Sequence, residues 1–207
     1  MFQKAQILTD TDQGGMENEV RLKLKAITLN NLGCFHKRQG RLKTALKFTE
    51  LALKIEVVAQ GAENPAGTYL NMCAILSELG RHQEALDHAS CALELLQAEE
   101  DSNPQNYGYN EGGSGDGSDG DGDQLDELGE EGGGPVKSNS SLLAIACHNI
   151  AAEYEHLQKP VSAMRFYKQA CEVAERQMGS NHPLTHALLN HAGEAYRNLQ
   201  SIQHEKA

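Results

Sequence analysis

The chain repeats itself, and a repeat constrains a fold more tightly than composition can, because every copy must adopt one structure and stack on its neighbours. Residues 26–56, AITLNNLGCFHKRQGRLKTALKFTELALKIE, superimpose on residues 66–97, AGTYLNMCAILSELGRHQEALDHASCALELLQ, at an offset of 40. Gly40-Arg41 matches Gly80-Arg81, Ala45-Leu46 matches Ala85-Leu86, and Ala52-Leu53 matches Ala92-Leu93. A third copy runs from Ala144 to Ala174, with Ala163 and Ala170 in the places of Ala45 and Ala52. A fourth begins near His186, 42 residues after the third, and spans one helix.

Each complete copy reads as two helices. Leu29, Leu32, Gly33 and His36 fall at helical spacing on one stripe of the first. Gly40 ends it, because glycine accepts the left-handed backbone of a helix terminus. The second helix carries Leu42, Ala45, Leu46, Leu53 and Ile55. Gly33, Ala45 and Ala52 are small enough to let two helices approach closely. Asn64-Pro65, Asn181-His182-Pro183 and Pro160 mark helix starts.

The sign of the charge is local. The chain has 18 basic and 29 acidic residues, and 12 of the acids lie between Glu99 and Glu131, where no Lys or Arg occurs. Residues 101–139, with GGSGDGSDGDGD at their centre, have no hydrophobic period and too little apolar surface to offset the entropy of ordering. They read as a disordered Gly/Asp/Glu-rich insertion. The expected organisation is residues 1–15 as an N-terminal segment, the remnant of an earlier repeat; 16–100 as repeats one and two; 101–139 as the insertion; 140–179 as repeat three; and 180–207 as a half repeat and tail.

The copies resemble tetratricopeptide repeats. Leu32-Gly33, Ala45 and Ala52 follow that family's pattern in the first copy, Ala85 and Ala92 in the second, Tyr154, Ala163, Tyr167 and Ala170 in the third, and Gly193 and Tyr196 in the fourth. His36, Leu76, Thr49 and Ala89 stand where the family has aromatics, Met72-Cys73 replaces Leu-Gly, and Gln158 replaces the turn glycine. The 40–42-residue period and the linker Met178–Pro183 look like those of kinesin light chains. The resemblance implies an all-α, right-handed helix-turn-helix solenoid, here interrupted by the acidic insertion.

In that family the first helix of each pair lines a concave groove. Carried over position by position, this implies a partner-binding surface of Asn30, Asn31, Lys37, Arg38, Asn71, His148, Asn149, Asn190 and Arg197. Asn31, Asn71 and Asn149 share one repeat position. Two roles fit such an Asn: its amide can bond the backbone of a bound peptide, or it can serve the repeat itself. The family's carboxylate clamp requires basic residues where Asn30, Ile145 and Asn149 stand and Asn where Cys34 stands, so a chaperone C-terminus is not the expected ligand.

Other chemistries lack support. Clustered positive charge of the kind that phosphate backbones require is missing, so no nucleic-acid partner is expected. No apolar run reaches membrane length and no secretory leader is legible, so no membrane association is expected and the compartment reads as cytoplasmic, with cytoskeletal association as a variant. Five cysteines without a CxxC pair read as buried thiols in a reducing compartment. Asp119, Asp121, Asp123 and Glu130 imitate a calcium loop, but Gln124 holds the place of its turn glycine. His182, His186 and His191, and His82, His88 and Cys91, specify no third metal ligand by spacing. No catalytic motif is present: Cys34 and His36 are two residues apart and do not face each other on a helix. The chain is therefore expected to be a non-catalytic scaffold or adaptor without cofactor or metal, binding a peptide or helix of a partner protein, with motor or cargo transport as its setting. The alternative is a structural subunit that docks, or self-associates, through the open ends of the array, its C-terminal end above all.

Overall fold

In a computed structural model, residues 18–58, 65–102 and 138–205 are described. They contain seven helices and no strand: α1 Asn18–Arg38, α2 Leu42–Val58, α3 Pro65–Glu78, α4 His82–Ser102, α5 Ser138–His156, α6 Pro160–Met178 and α7 Pro183–Glu205. The pairs α1/α2, α3/α4 and α5/α6 are the three repeats, and α7 is the first helix of the fourth. Each helix packs on the next, and α1 touches α3 as α3 touches α5. That is the arrangement of a solenoid, with first helices on one face and second helices on the other. Residues 1–15 and most of the acidic insertion lie outside the described residues. At the borders of the 101–139 stretch, α4 extends through Ser102 and α5 opens at Ser138.

The turns follow from the sequence. Gly40 and Gly80 have φ of 70° and 74°. Arg41 N donates to His36 O and Arg81 N to Leu76 O, closing both helix ends alike. The third repeat makes the same turn without glycine: Gln158 has φ 58°, and Lys159 N donates to Tyr154 O. The register thus overrides local preference, at a cost of about 1–2 kcal/mol for a left-handed non-glycine residue. At the entry to α7, the helix is capped by His182: Leu184 N donates to its Nδ1, and Thr185 Oγ1 donates to Gly179 O.

Small residues set the helix spacing. Ala45, Ala52, Ala85, Ala89 and Ala92 are fully buried. A Cβ added at Gly33 would collide with Thr49 Cγ2, so Gly33 is what lets α1 lie against α2 at this distance. Thr49, in place of an aromatic, turns its hydroxyl back to Ala45 O and Leu46 O and stays buried. His36 keeps the aromatic role at its position, its ring stacked on Phe48 at 5.2 Å. One hydrophobic core runs continuously through the repeats, and Ala151, Ala163 and Tyr167 form a smaller one in the third. Packing neighbours bury a face that no single repeat could bury alone.

Candidate functional site

The first helices present a ladder of polar side chains, and its rungs obey one rule. A residue of one repeat meets the residue one position further on in the next repeat. Asn71 Nδ2 donates to Asn30 Oδ1 at 3.0 Å. Two turns along, Lys37 Nζ pairs with Glu78 at 2.7 Å. Between α5 and α7, His148 Nε2 and His191 Nδ1 are 2.9 Å apart, a hydrogen bond in which one ring donates and the other accepts. His148 and Asn30 hold the same repeat position, as do His191 and Asn71. The fold therefore builds the same contact twice, from amides at one joint and from imidazoles at another.

Five of the nine residues expected on the groove lie in or beside these rungs: Asn30, Asn71, Lys37, His148 and Asn149, the last through a side-chain hydrogen bond with His148. Asn31, Arg38, Asn190 and Arg197 stand exposed at their repeat positions. Asn71 thus serves the repeat, through Asn30, while the exposed members remain accessible to a ligand.

A second polar cluster lies at the joint between repeats two and three and was not legible beforehand. Glu153 is only 2% exposed. Its Oε2 accepts from His82 Nδ1 at 2.8 Å, and the His82 ring stacks on His156 with centroids 4.2 Å apart. The corresponding positions at the first joint are Leu42 and Ile75. The sequence signal was present: the two-repeat alignment puts a charged and a titratable residue where another copy has Leu and Ile. Its meaning was hidden because the partners are 71 residues apart.

The electrostatics disfavour reactive groups. Burial raises all five thiols above their ordinary value, Cys73 to about 12 and Cys147 to about 11. A thiol held protonated is a poor nucleophile. Burial, followed by the hydrogen bond that Tyr167 donates to Glu155, raises the Tyr167 phenol. Burial and the neighbouring His191 lower His148. Among the described residues no group of three or more His, Cys, Asp or Glu is placed to hold a metal ion. His82 turns to Glu153 and His156, and His191 to His148, so the histidines singled out by spacing are dispersed. No described helix is long and apolar enough to cross a membrane.

Comparison with known proteins supplies a context for this geometry. Residues 24–98 and residues 143–184 each match a family model described as a tetratricopeptide repeat. No curated protein matches the sequence. Among solved structures, BtubC (BKLC) from P. vanneervenii superimposes with a TM-score of 0.64 at 15% identity, over 98% of this chain. The chain spans 64% of that protein's length. At such identity the likeness speaks to the fold alone.

Proposed function

Because the chain is a tetratricopeptide-repeat protein, we propose that it is a non-catalytic scaffold whose first-helix face binds a peptide or helix of a partner protein. The observation that carries this reading is the ladder on that face. Polar rungs tie α1 to α3 and α5 to α7, so the surface is pre-organised at those two joints and little entropy is lost when a segment docks. Asn31, Arg38, Asn190 and Arg197 then offer donors and acceptors beside the rungs, and His148 and Asn149 line the stretch between. The site takes no cofactor in this reading. A place in motor or cargo transport, in the cytoplasm or on the cytoskeleton, is supported by the 40–42-residue period and the Met178–Pro183 linker.

The test is affinity capture from a cell extract with quantitative mass spectrometry, comparing wild type with Asn31→Ala/Asn149→Ala/Asn190→Ala. Partners that are lost with the variant, at unchanged helicity, support the groove. A partner set that is the same for both proteins sinks it.

One observation favours a second reading, docking through an end of the array. On α7, Leu189 is 39% and Tyr196 51% exposed, whereas Cys147 and Leu76 at the same repeat positions are 0% and 2% exposed. Among the described residues no second helix lies on this face of α7 as one does in the other repeats. In this reading Leu189→Ser/Tyr196→Ser removes the partner and the groove variant does not.

A further inference from the structure

The second helices bear a charge pattern that stacking does not require. Residues 18–58 contain nine basic and three acidic residues, whereas residues 65–102 contain one basic and seven acidic. The contrast sharpens on the outward face. Lys43, Lys47 and Lys54 are exposed on α2, spaced four and seven residues apart, which puts them on one line of the helix, and the exposed Glu50 on that line leaves it with a net charge of 3 − 1 = +2. The same repeat positions on α4 are Gln83, Asp87 and Glu94, also exposed, and on α6 they are Val161, Arg165 and Glu172. Three equivalent lines with three different charges show that the repeat fold needs none of them. A basic line and an acidic line therefore lie on consecutive second helices, each of which packs on α3 between them.

Such a pair of lines is its own complement. We propose that two copies of the chain associate through the outward faces of α2 and α4, about a twofold axis parallel to these helices and midway between them. That operation lays α2 of each copy on α4 of the other with the helices running in the same direction. Because the two helices are one repeat apart, it also brings equivalent heights together. Lys47 of one copy meets Asp87 of the second copy, and Lys54 meets Glu94. Beside those pairs, Leu51, 48% exposed, flanks the contact. The interface is isologous, so each pair occurs twice and the assembly closes at two copies. A twofold axis perpendicular to the helices would set lysines against lysines and is disfavoured.

Two helices a side make a small interface, at the weak end below about 1,200 Å². The association is therefore concentration-dependent. It also depends on salt in a particular way. The net charge of −11 makes whole molecules repel, but at 0.15 M salt the screening length is about 8 Å, which damps that long-range term and spares contacting pairs. At 1 M it falls to about 3 Å and the pairs weaken as well. The groove on the opposite face stays open in the dimer, so this inference is independent of the ligand reading.

The test is analytical ultracentrifugation of the full chain from micromolar to submillimolar concentration, at the two salt concentrations above. The expected mass rises from 22.5 kDa toward twice that value at the lower salt and stays monomeric at the higher. Lys43→Glu/Lys47→Glu/Lys54→Glu should be monomeric alone, and so should Asp87→Lys/Glu94→Lys. An equimolar mixture of the two should recover the dimer, since each now complements the other and not itself. Circular dichroism controls for folding, which substitutions on an exposed face leave intact. A wild type that is monomeric throughout, charge variants that dimerise as wild type does, or a mixture that fails to associate would overturn the proposal.

Discussion

At the joint between the first and second repeats, Leu42 opens α2 and Ile75, fully buried, sits on α3. At the joint between the second and third, His82 and Glu153 take those two positions, and the carboxylate is almost as deeply buried. The repeat positions are the same; the chemistry is not. An apolar pair is held by volume and tolerates small misfits, and elsewhere along the first joint Thr68 Oγ1 donates to Glu56 Oε1 at 2.9 Å. A buried carboxylate at a joint of the same continuous core depends on its hydrogen bond, and taking the partner away leaves it destabilising. The repeats are alike as packing units and unlike in the chemistry of their joints, and the joint beside the acidic insertion carries the more deeply buried carboxylate.

Removing one side of the polar joint should have the largest effect. Glu153→Ala is expected to lower unfolding stability by about 3 kcal/mol, since it empties a buried site and strands His82. Converting the joint to the chemistry of the first, His82→Leu/Glu153→Ile, should restore stability to wild type or above in urea melts. If the double variant is no better than Glu153→Ala, the two joints are not equivalent. Next in size, Gly33→Ala should cost about 1–3 kcal/mol by forcing α1 away from α2, whereas Gly193→Ala meets only Arg197 and should be nearly neutral in the same melts.

The third joint adds a titration. Burial, then His191, holds His148 below its ordinary 6.5. As pH falls through about 6.5 the unfolded chain takes up a proton that the folded chain resists, so stability declines there and levels off below the folded value. Asn149 and Glu155 act on His148 in the opposite sense, and burial lowers His88 as well. His148→Asn, which installs the residue found at this position in the first and fourth copies, should flatten the decline in melting temperature. An unchanged pH slope would remove His148 from the account. The smallest effect is at the turn. Gln158→Gly should raise stability by about 0.5–1 kcal/mol by relieving the left-handed φ, with the unfolded-chain entropy of glycine offsetting part of the gain.

Much of the fold was legible because repeats carry their own controls. The 40-residue offset identified both helices of each copy, and it also placed Gln158 where a glycine turn belongs. Gly33 was readable as a close-approach residue because its neighbours in the pattern, Ala45 and Ala52, are small too. The groove was partly legible: register put Asn71 and Asn30 on one face, but not the hydrogen bond between them, because contact between repeats depends on their stacking angle. Glu153 was not legible as buried, since a lone glutamate is ordinarily solvated and its partner lies in another repeat. The charge lines on α2 and α4 were hidden for a different reason. Averages over the whole folded part cancel, and only the comparison of equivalent positions separates them.

The central claim is that the ladder face, not the outer face or an end, receives the partner. Site-specific photocrosslinking in cells tests it directly, with a photoreactive residue at Asn31 on the first-helix face, at Lys168 on the outward face of α6, and at Tyr196 on the open face of α7. The account predicts that partner-protein adducts form from position 31, and not from positions 168 or 196. Adducts confined to position 168 or 196 would contradict it.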